Sequence, residues 1–284
     1  MRTFALASGS SGNCFFVEGF GGKKILIDLG LSFQRTKEVL AEMEISLYDI
    51  DAVFLTHEHS DHIAGFEKAL KELSCPFYLS KGTALALGFG DCSVGSMRFV
   101  KHHDVVCVGE DLRVFCVEKP HDAREALSFV VDSEGSKIGV FTDLGHVPDE
   151  LLHLISTVDV LYFEANYCED FIREHCASLS AVYLNRLMSK LGHLSLRQCC
   201  DALSHACHDA QKIVLSHISE QTNRYERAYR EVVSSLSAVG KFPKIFVSFQ
   251  GEASEVFCLE RKEMCSVNGE ESLELRDVGV KVED

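Results

Sequence analysis

The sequence predicts an α/β fold in which two mixed β-sheets pack together with helices on their outer faces. Three observations carry that expectation. The chain has 284 residues, 46% hydrophobic and 25% charged, which suits one large globular domain and excludes a disordered tail or a fibrous repeat. Short β-branched and aromatic runs recur along its whole length. They do not alternate regularly with helices, as a doubly wound parallel sheet would require. Strands and a helix come first, then a strand-rich middle, then more helices and strands.

Taken in order, strands are expected over 3–7, 14–18 and 24–28, with a Gly/Ser loop between the first two. Residues 32–44 have the spacing of an amphipathic helix, with Ser32 as its N-cap. A buried strand over 51–55 runs into a histidine-rich loop, followed by a helix over 61–73, a strand over 76–79 and a short helix from Gly82. The middle gives strands over 98–101, 104–108, 113–118, 127–132 and 137–141. A helix over 149–156 starts at Pro148. A strand over 159–164, helices over 179–191 and 195–208, a strand over 212–216 and a helix over 223–238 follow. Strands over 244–248 and 255–259 close the sheets. No linker or repeat divides the chain, so residues 1–260 read as a single domain and 261–284 as an acidic, frayed tail.

The 28 basic and 43 acidic residues give a net charge of −15, so no global positive field recruits an anionic polymer. A nucleic-acid substrate would need a local basic patch or bound metal. Apolar runs such as Val105–Val108 are far too short to cross a bilayer. No signal-length apolar core precedes the loop at 8–13, so the chain reads as cytoplasmic, without a membrane partner. The 12 cysteines contain no Cys-x-x-Cys pair and read as reduced core thiols. The 13 histidines are the anomaly.

Thr56-His57-Glu58-His59-Ser60-Asp61-His62 follows a buried strand directly. His57 and His59 are two apart, so an extended backbone points both imidazoles the same way. Asp61 and His62 then turn into the next helix. Imidazole and carboxylate both bind divalent first-row metals, so this density points to a metal pair. One loop cannot supply every ligand. His121, Asp143 and His217 each follow a predicted strand, where an open sheet edge would gather them.

His57-Glu58-His59-Ser60-Asp61-His62, with distant His121, Asp143 and His217, resembles the five-motif pattern of the metallo-β-lactamase superfamily. The resemblance runs from Ser8 to about Phe257. It implies an αββα sandwich with a dinuclear metal site on the sheet edges. One divalent ion would be held by His57, His59 and His121, and the other by Asp61, His62 and His217. Asp143 and a water would bridge them. Zinc or manganese is implied, with iron the alternative. A redox di-iron member would carry an acidic residue in place of a first-loop histidine, whereas His59 is intact. Hydrolysis is therefore implied, by a metal-bridging hydroxide that the two ions generate from water.

Ser8-Gly9-Ser10-Ser11-Gly12-Asn13, Pro120-His121-Asp122-Ala123, Thr142-Asp143-Leu144-Gly145, Glu164-Ala165-Asn166, Gly192-His193-Leu194-Ser195 and Leu215-Ser216-His217-Ile218-Ser219 resemble the bacterial YycJ/WalJ-type exonuclease subgroup. That implies a 5′-to-3′ exonuclease on double-stranded DNA, with repair-pathway proteins as partners. The chain departs from the subgroup at Tyr167, where histidine is usual, and at Thr222-Asn223, where Asn-Asn is usual. A small-molecule phosphodiesterase, or a thioester or lactone hydrolase, is the alternative on the same core. A non-enzymatic binding module would need an incomplete site, and all seven ligand positions are filled.

Asp61 and His193 are the candidate catalytic residues. His193 lies in a turn between two helices. Either it satisfies a loop carbonyl while Ser195 caps the next helix, or, as the resemblance implies, it contacts the scissile phosphate and protonates the leaving oxygen. The loop at 8–13 either offers backbone N–H groups to phosphate or packs beneath the site. Arg173, Arg186, Lys190 and Arg197, and separately Arg224, Arg227 and Arg230, border the presumed site; they form either a DNA-binding rim or a solvated helix face. His146, next to the Asp143 turn, is a candidate to brace a ligand. His102, His103, His153, His175, His205 and His208 read as exposed or locally satisfied.

Overall fold

The computed structural model describes residues 1–90 and 95–262. The tail expected from residue 261 lies outside the described residues from 263 onward. Strands β1 (Arg2–Ala7), β2 (Cys14–Glu18), β3 (Lys24–Ile27), β4 (Ala52–Phe54), β5 (Phe77–Leu79) and β6 (Met97–Phe99) build one sheet. Strand β14 (Phe257–Cys258) returns to pair with β1, giving the order β14-β1-β2-β3-β4-β5-β6. Strands β7 (Val105–Val108), β8 (Leu112–Glu118), β9 (Leu127–Ser133), β10 (Ser136–Phe141), β11 (Val160–Glu164), β12 (Lys212–Ser216) and β13 (Lys244–Val247) build the other, in the order β13-β12-β11-β10-β9-β8-β7.

Each sheet opens as an antiparallel meander and continues in parallel. This fixes where the site forms. Strands β1, β3 and β4 run the same way, as do β8, β10, β11 and β12, so the carboxyl ends within each set share one edge.

The side-chain period of two sorts each strand between two cores. Ala5, Ile25, Ile27, Ile138, Val140 and Val214 point between the sheets, where Phe54 and Phe129 also meet. Phe4, Leu6 and Leu26 face outward onto α1 (Phe33–Glu42) and α3 (Phe66–Glu72). Phe141, Ile213 and Leu215 face outward onto α5 (Asp149–Ile155), α8 (Leu196–Ala206) and α9 (Tyr225–Ala238). The outer helices and paired inner sheet faces are the predicted sandwich. Eight of the ten described cysteines are buried, as core thiols should be.

Both predicted serine caps are present: Ser32 accepts from Arg35 N, and Ser195 forms a capping box with Gln198. The helix expected over 61–73 is broken into α2 (Ser60–Ile63) and α3. The break falls at Gly65, where a Cβ would come within 2.5 Å of the Leu31 carbonyl oxygen. The helix expected over 179–191 is only α7 (Ala181–Leu187), because residues 188–193 turn back and His193 N bonds Leu187 O. Two helices differ from expectation in other ways: α4 spans Lys81–Ala86, and α6 (Glu169–His175) was not anticipated.

Candidate metal centre

The first sheet contributes Asp28 just after β3, the loop 56–62 after β4, and the loop 8–13 after β1. The second contributes His121 after β8, Asp143 after β10, Glu164 at the end of β11 and His217 after β12. Asp28, Asp143 and His217 hold φ values of 63°, 58° and 53°. Non-glycine residues pay on the order of 1–3 kcal/mol for such backbone, and this strain gathers at the strand ends where the side chains must converge.

The side chains form two clusters. His57 Nε2 and His121 Nε2 each lie 3.1 Å from His59 Nδ1. Beside them, His217 Nε2 is 3.3 Å from Asp61 Oδ2 and His62 Nε2 is 3.5 Å from the same oxygen. Asp143 touches both clusters: Oδ2 is 3.2 Å from His62 Nε2, and Oδ1 is 3.3 Å from His217 Nε2 and 3.8 Å from His121 Nε2. All seven sequence-predicted residues are therefore brought together.

Hydrogen bonds behind the clusters set which ring nitrogens face inward. The Thr56 hydroxyl donates to Asp28 Oδ2, so it accepts from His57 Nδ1–H at 2.8 Å. His62 Nδ1–H donates to Asp28 Oδ2 at 2.7 Å, and His121 Nδ1–H to Gly192 O at 3.0 Å. Each leaves an Nε2 lone pair aimed into its cluster. Asn166 Nδ2 lies 2.9 Å from both Nδ1 and the carbonyl oxygen of His217. Asn13, fully buried, reaches Asp61 Oδ2 and His62 Nε2.

The residues fit a pair of divalent ions. The 3.1–3.5 Å spacings between ligand-type atoms approximate the ~3.3 Å edge of a tetrahedron with bonds of ~2.0–2.1 Å. Asp143 Oδ2 is buried without a hydrogen-bond partner, facing His62 Nε2 at 3.2 Å and the buried Lys119 Nζ only at 3.7 Å, a carboxylate oxygen with capacity left for a metal cation. Two groups could each hold one ion: His57, His59 and His121, and Asp61, His62, Asp143 and His217.

The metal-free electrostatics differ between the clusters. Burial, reinforced by the Lys119 ammonium and the neighbouring imidazoles, holds His57 well below the usual range and His121 down at about 3. At His217 burial also favours the neutral ring, but Asp143 and Asp61 outweigh it and raise the pKa to about 9. The same contest, won by Asp143 and Asp28, raises His62 well above its ordinary value. Burial pushes the Asp61 carboxyl up, but hydrogen bonds from His217 and His62 prevail and hold it well below the carboxylate range.

A cavity of about 610 Å³ opens over the clusters, lined among others by His59, Asp61, Asp143, His193 and His217. His193 bonds Glu164 rather than a loop carbonyl: Nδ1–H donates to Oε1 at 2.7 Å, and fully buried Glu164 accepts Leu144 N through its other oxygen. The His193 ring also stacks on His217, 5.2 Å between centroids. Of the two roles weighed for the loop at 8–13, packing beneath the site is the one seen. Ser8 and Asn13 bolt it beneath the site, Ser8 Oγ accepting His217 N, while Ser10 and Ser11 line the cavity.

Other expectations fare differently. Of the seven arginines and lysines expected near the site, Arg186 alone lines the cavity. Arg224 donates to the Glu220 and Asn223 carbonyls and lies over Phe171, and Arg227 pairs with Glu174 and Glu231. Arg173 pairs with Asp170. Arg224 and Arg227 are tied into the fold, while Arg173 among the described residues meets only Asp170 on the same exposed helix face, which weakens the reading of a continuous basic rim. His146 is exposed and bonds Lys190 O instead of bracing a ligand. His102 and His103 share Glu150, locally satisfied as expected. Tyr167 is buried with its carbonyl on Leu196 N; Thr222, the residue that departs from Asn-Asn, is buried with its hydroxyl unpartnered among the described residues, while Asn223 bonds Ala165 O. Asp28, Thr56, Glu164 and Asn166 were not singled out as site residues; Thr56 opens the histidine-rich segment and Glu164 and Asn166 fall in the Glu164-Ala165-Asn166 segment, whereas Asp28 carries no such signal.

Two mixed sheets with paired His/Asp clusters on their strand ends define a metallo-hydrolase architecture. The chain belongs to the metallo-β-lactamase superfamily, matching the beta-lactamase superfamily domain over residues 23–218. It is 30% identical over 238 residues to exodeoxyribonuclease YycJ of Bacillus anthracis, covering 83% of this chain and 89% of that protein. It is equally similar, at 30% over 238 residues, to exodeoxyribonuclease WalJ of Streptococcus pneumoniae serotype 2 (strain D39), covering 82% and 87%. The crystal structure of Zn²⁺-bound PqqB from Methylobacterium extorquens shares the fold, with a TM-score of 0.69 and 15% identity over 91% of this chain and all of that one. No helix among the described residues is long and apolar enough to cross a membrane.

Proposed function

We propose that the protein is a metal-dependent phosphodiester hydrolase, a cytoplasmic 5′-to-3′ exonuclease on double-stranded DNA. In this reading His57, His59 and His121 hold one divalent ion, Asp61, His62 and His217 hold the other, and Asp143 serves both. Zinc or manganese fills the sites, with iron the alternative. When bound, the ions supply an acidified water and positive charge for the oxygens of an in-line displacement.

The rest falls to the chain's own groups. Glu164 accepts His193 Nδ1–H, so Nε2 is the nitrogen left to face the leaving oxygen, to which it donates a proton when the ring is doubly protonated. Asp28 and Thr56 keep two first-loop histidines in the tautomer that presents Nε2. Asn13 and Ser8 steady Asp61 and His217 from below. The observation that carries the reading is Asp143, one buried carboxylate within reach of both clusters at the floor of an open cavity. The exodeoxyribonuclease names of relatives that cover most of both chains support DNA as substrate.

The test is a digestion of duplex DNA labelled at either end, with Mn²⁺ or Zn²⁺ and an Asp61→Ala control. Stepwise loss from the 5′ end, abolished in Asp61→Ala, is the expected result. A metal-loaded protein that leaves DNA intact while cleaving a small phosphodiester would move the substrate to a small molecule.

A further inference from the structure

Arg186 occupies a particular place in the cavity. Among the described residues it is the one arginine or lysine in the lining, within a wall otherwise made of hydroxyl, amide, carboxylate and imidazole groups with Leu187. Its Nε donates to Asp122 Oδ2 at 2.5 Å, and neither Nη group has a protein partner among the described residues. The Arg186 side chain is 63% exposed. A guanidinium fixed through Nε keeps its two-pronged Nη edge free, the edge that can receive two oxygens of one phosphate.

Asp122 also stands against the first cluster, with Oδ1 3.4 Å from His121 Nε2 and 3.8 Å from His59 Nε2. It therefore couples the position of Arg186 to the candidate metal centre. Tyr183, one turn before Arg186 on α7, and Ser219, two residues beyond His217, line the same cavity. Arg186 is thus oriented by Asp122 before any substrate arrives. Because Asp122 lies between Arg186 and the first cluster, the free Nη edge is displaced from the position of a reacting phosphate.

We propose that Arg186, positioned by Asp122, binds a second substrate phosphate next to the scissile one, so the site selects polynucleotides over single phosphodiesters. This rests on the phosphodiesterase reading above. The net charge of −15 sharpens its value. A strongly acidic body repels DNA, and one fixed arginine at the site supplies attraction where it is needed.

The test compares steady-state kinetics on a 5′-phosphorylated duplex oligonucleotide and on bis(4-nitrophenyl) phosphate, which carries a single phosphate. Arg186→Gln should raise the DNA KM by about tenfold or more, the loss expected for a charge-assisted hydrogen bond. It should also make the salt dependence of DNA binding shallower by about one unit of log–log slope. The loss of kcat/KM on the small ester should be at least several-fold smaller than on DNA. Asp122→Asn should raise the DNA KM less, and Arg186→Lys should recover only part of it, because charge returns without the fork. Equal losses on both probes, accompanied by a lower melting temperature, would make the pair a structural strut and overturn the proposal. An unchanged DNA KM in Arg186→Gln would overturn it too. Wild-type protein that hydrolyses the ester but not DNA would instead remove the DNA reading, and this inference with it.

Discussion

Replacing Asp28 with asparagine isolates the role of one buried carboxylate in setting a ligand's tautomer. Asp28 is fully buried at φ 63°, and asparagine tolerates that backbone as well as aspartate does. The shape is kept and the charge removed. Asp28 accepts three hydrogen bonds: Thr56 N at 2.7 Å on Oδ1, and Thr56 Oγ1 at 2.9 Å and His62 Nδ1 at 2.7 Å on Oδ2. An asparagine that keeps its oxygen toward Thr56 N turns its NH₂ toward His62 Nδ1. That nitrogen must then accept, and the His62 proton moves to Nε2, the atom facing Asp61 and Asp143. Loss of such a supporting carboxylate weakens metal affinity by about 10–100-fold, or about 1.4–2.7 kcal/mol. A competitive chelator titration reads this directly; because the Thr56 hydroxyl that receives His57 Nδ1–H loses the same acceptor oxygen, both binding steps are expected to weaken. Two wild-type affinities in Asp28→Asn would refute the tautomer argument.

Other perturbations follow from the same geometry. His193→Ala should lower kcat on DNA by about 10²–10⁴-fold while elemental analysis finds its metal content unchanged; lost metal would instead make His193 a ligand. Stripping the ions with a chelator should abolish hydrolysis, and Zn²⁺ or Mn²⁺ should restore it, whereas activity surviving full removal would refute a metal mechanism. The metal-free protein should lose thermal stability as pH rises from about 6.5 through about 9. His217, whose folded pKa is raised to about 9, stabilises the fold while protonated and ceases to do so across that window. His62, raised by Asp143 and Asp28, acts in the same sense. A flat melting temperature there would show that Asp143 and Asp61 do not hold His217 in its charged form.

What could be seen in the sequence was local, and what could not was long-range. The His57–His62 loop declares itself because four ligand-type side chains follow an apolar strand within six residues. Ser32 and Ser195 declare themselves as caps because a cap bonds its own first turn. Asp28 and Glu164 end strands and carry no local sign that one holds His62 and the other His193. Helix α6 lacks a period to detect, since its buried residues are the adjacent Phe171 and Ile172. The helix breaks at Gly65 because its N–H bonds Leu29 O, far away in sequence, while the Asp61 carbonyl one turn back accepts from Asn13 N. Arg224 looks like a surface charge until Glu220, Asn223 and Phe171 are seen to engage it.

The central claim is that seven side chains sharing Asp143 form a site for two divalent ions. Elemental analysis of the purified, metal-loaded protein beside Asp143→Ala tests it most directly. Two ions per wild-type chain, at most one in the variant, and hydrolysis lost with the second ion is the expected result. Full activity with a single ion per chain, or two ions retained without Asp143, would contradict it.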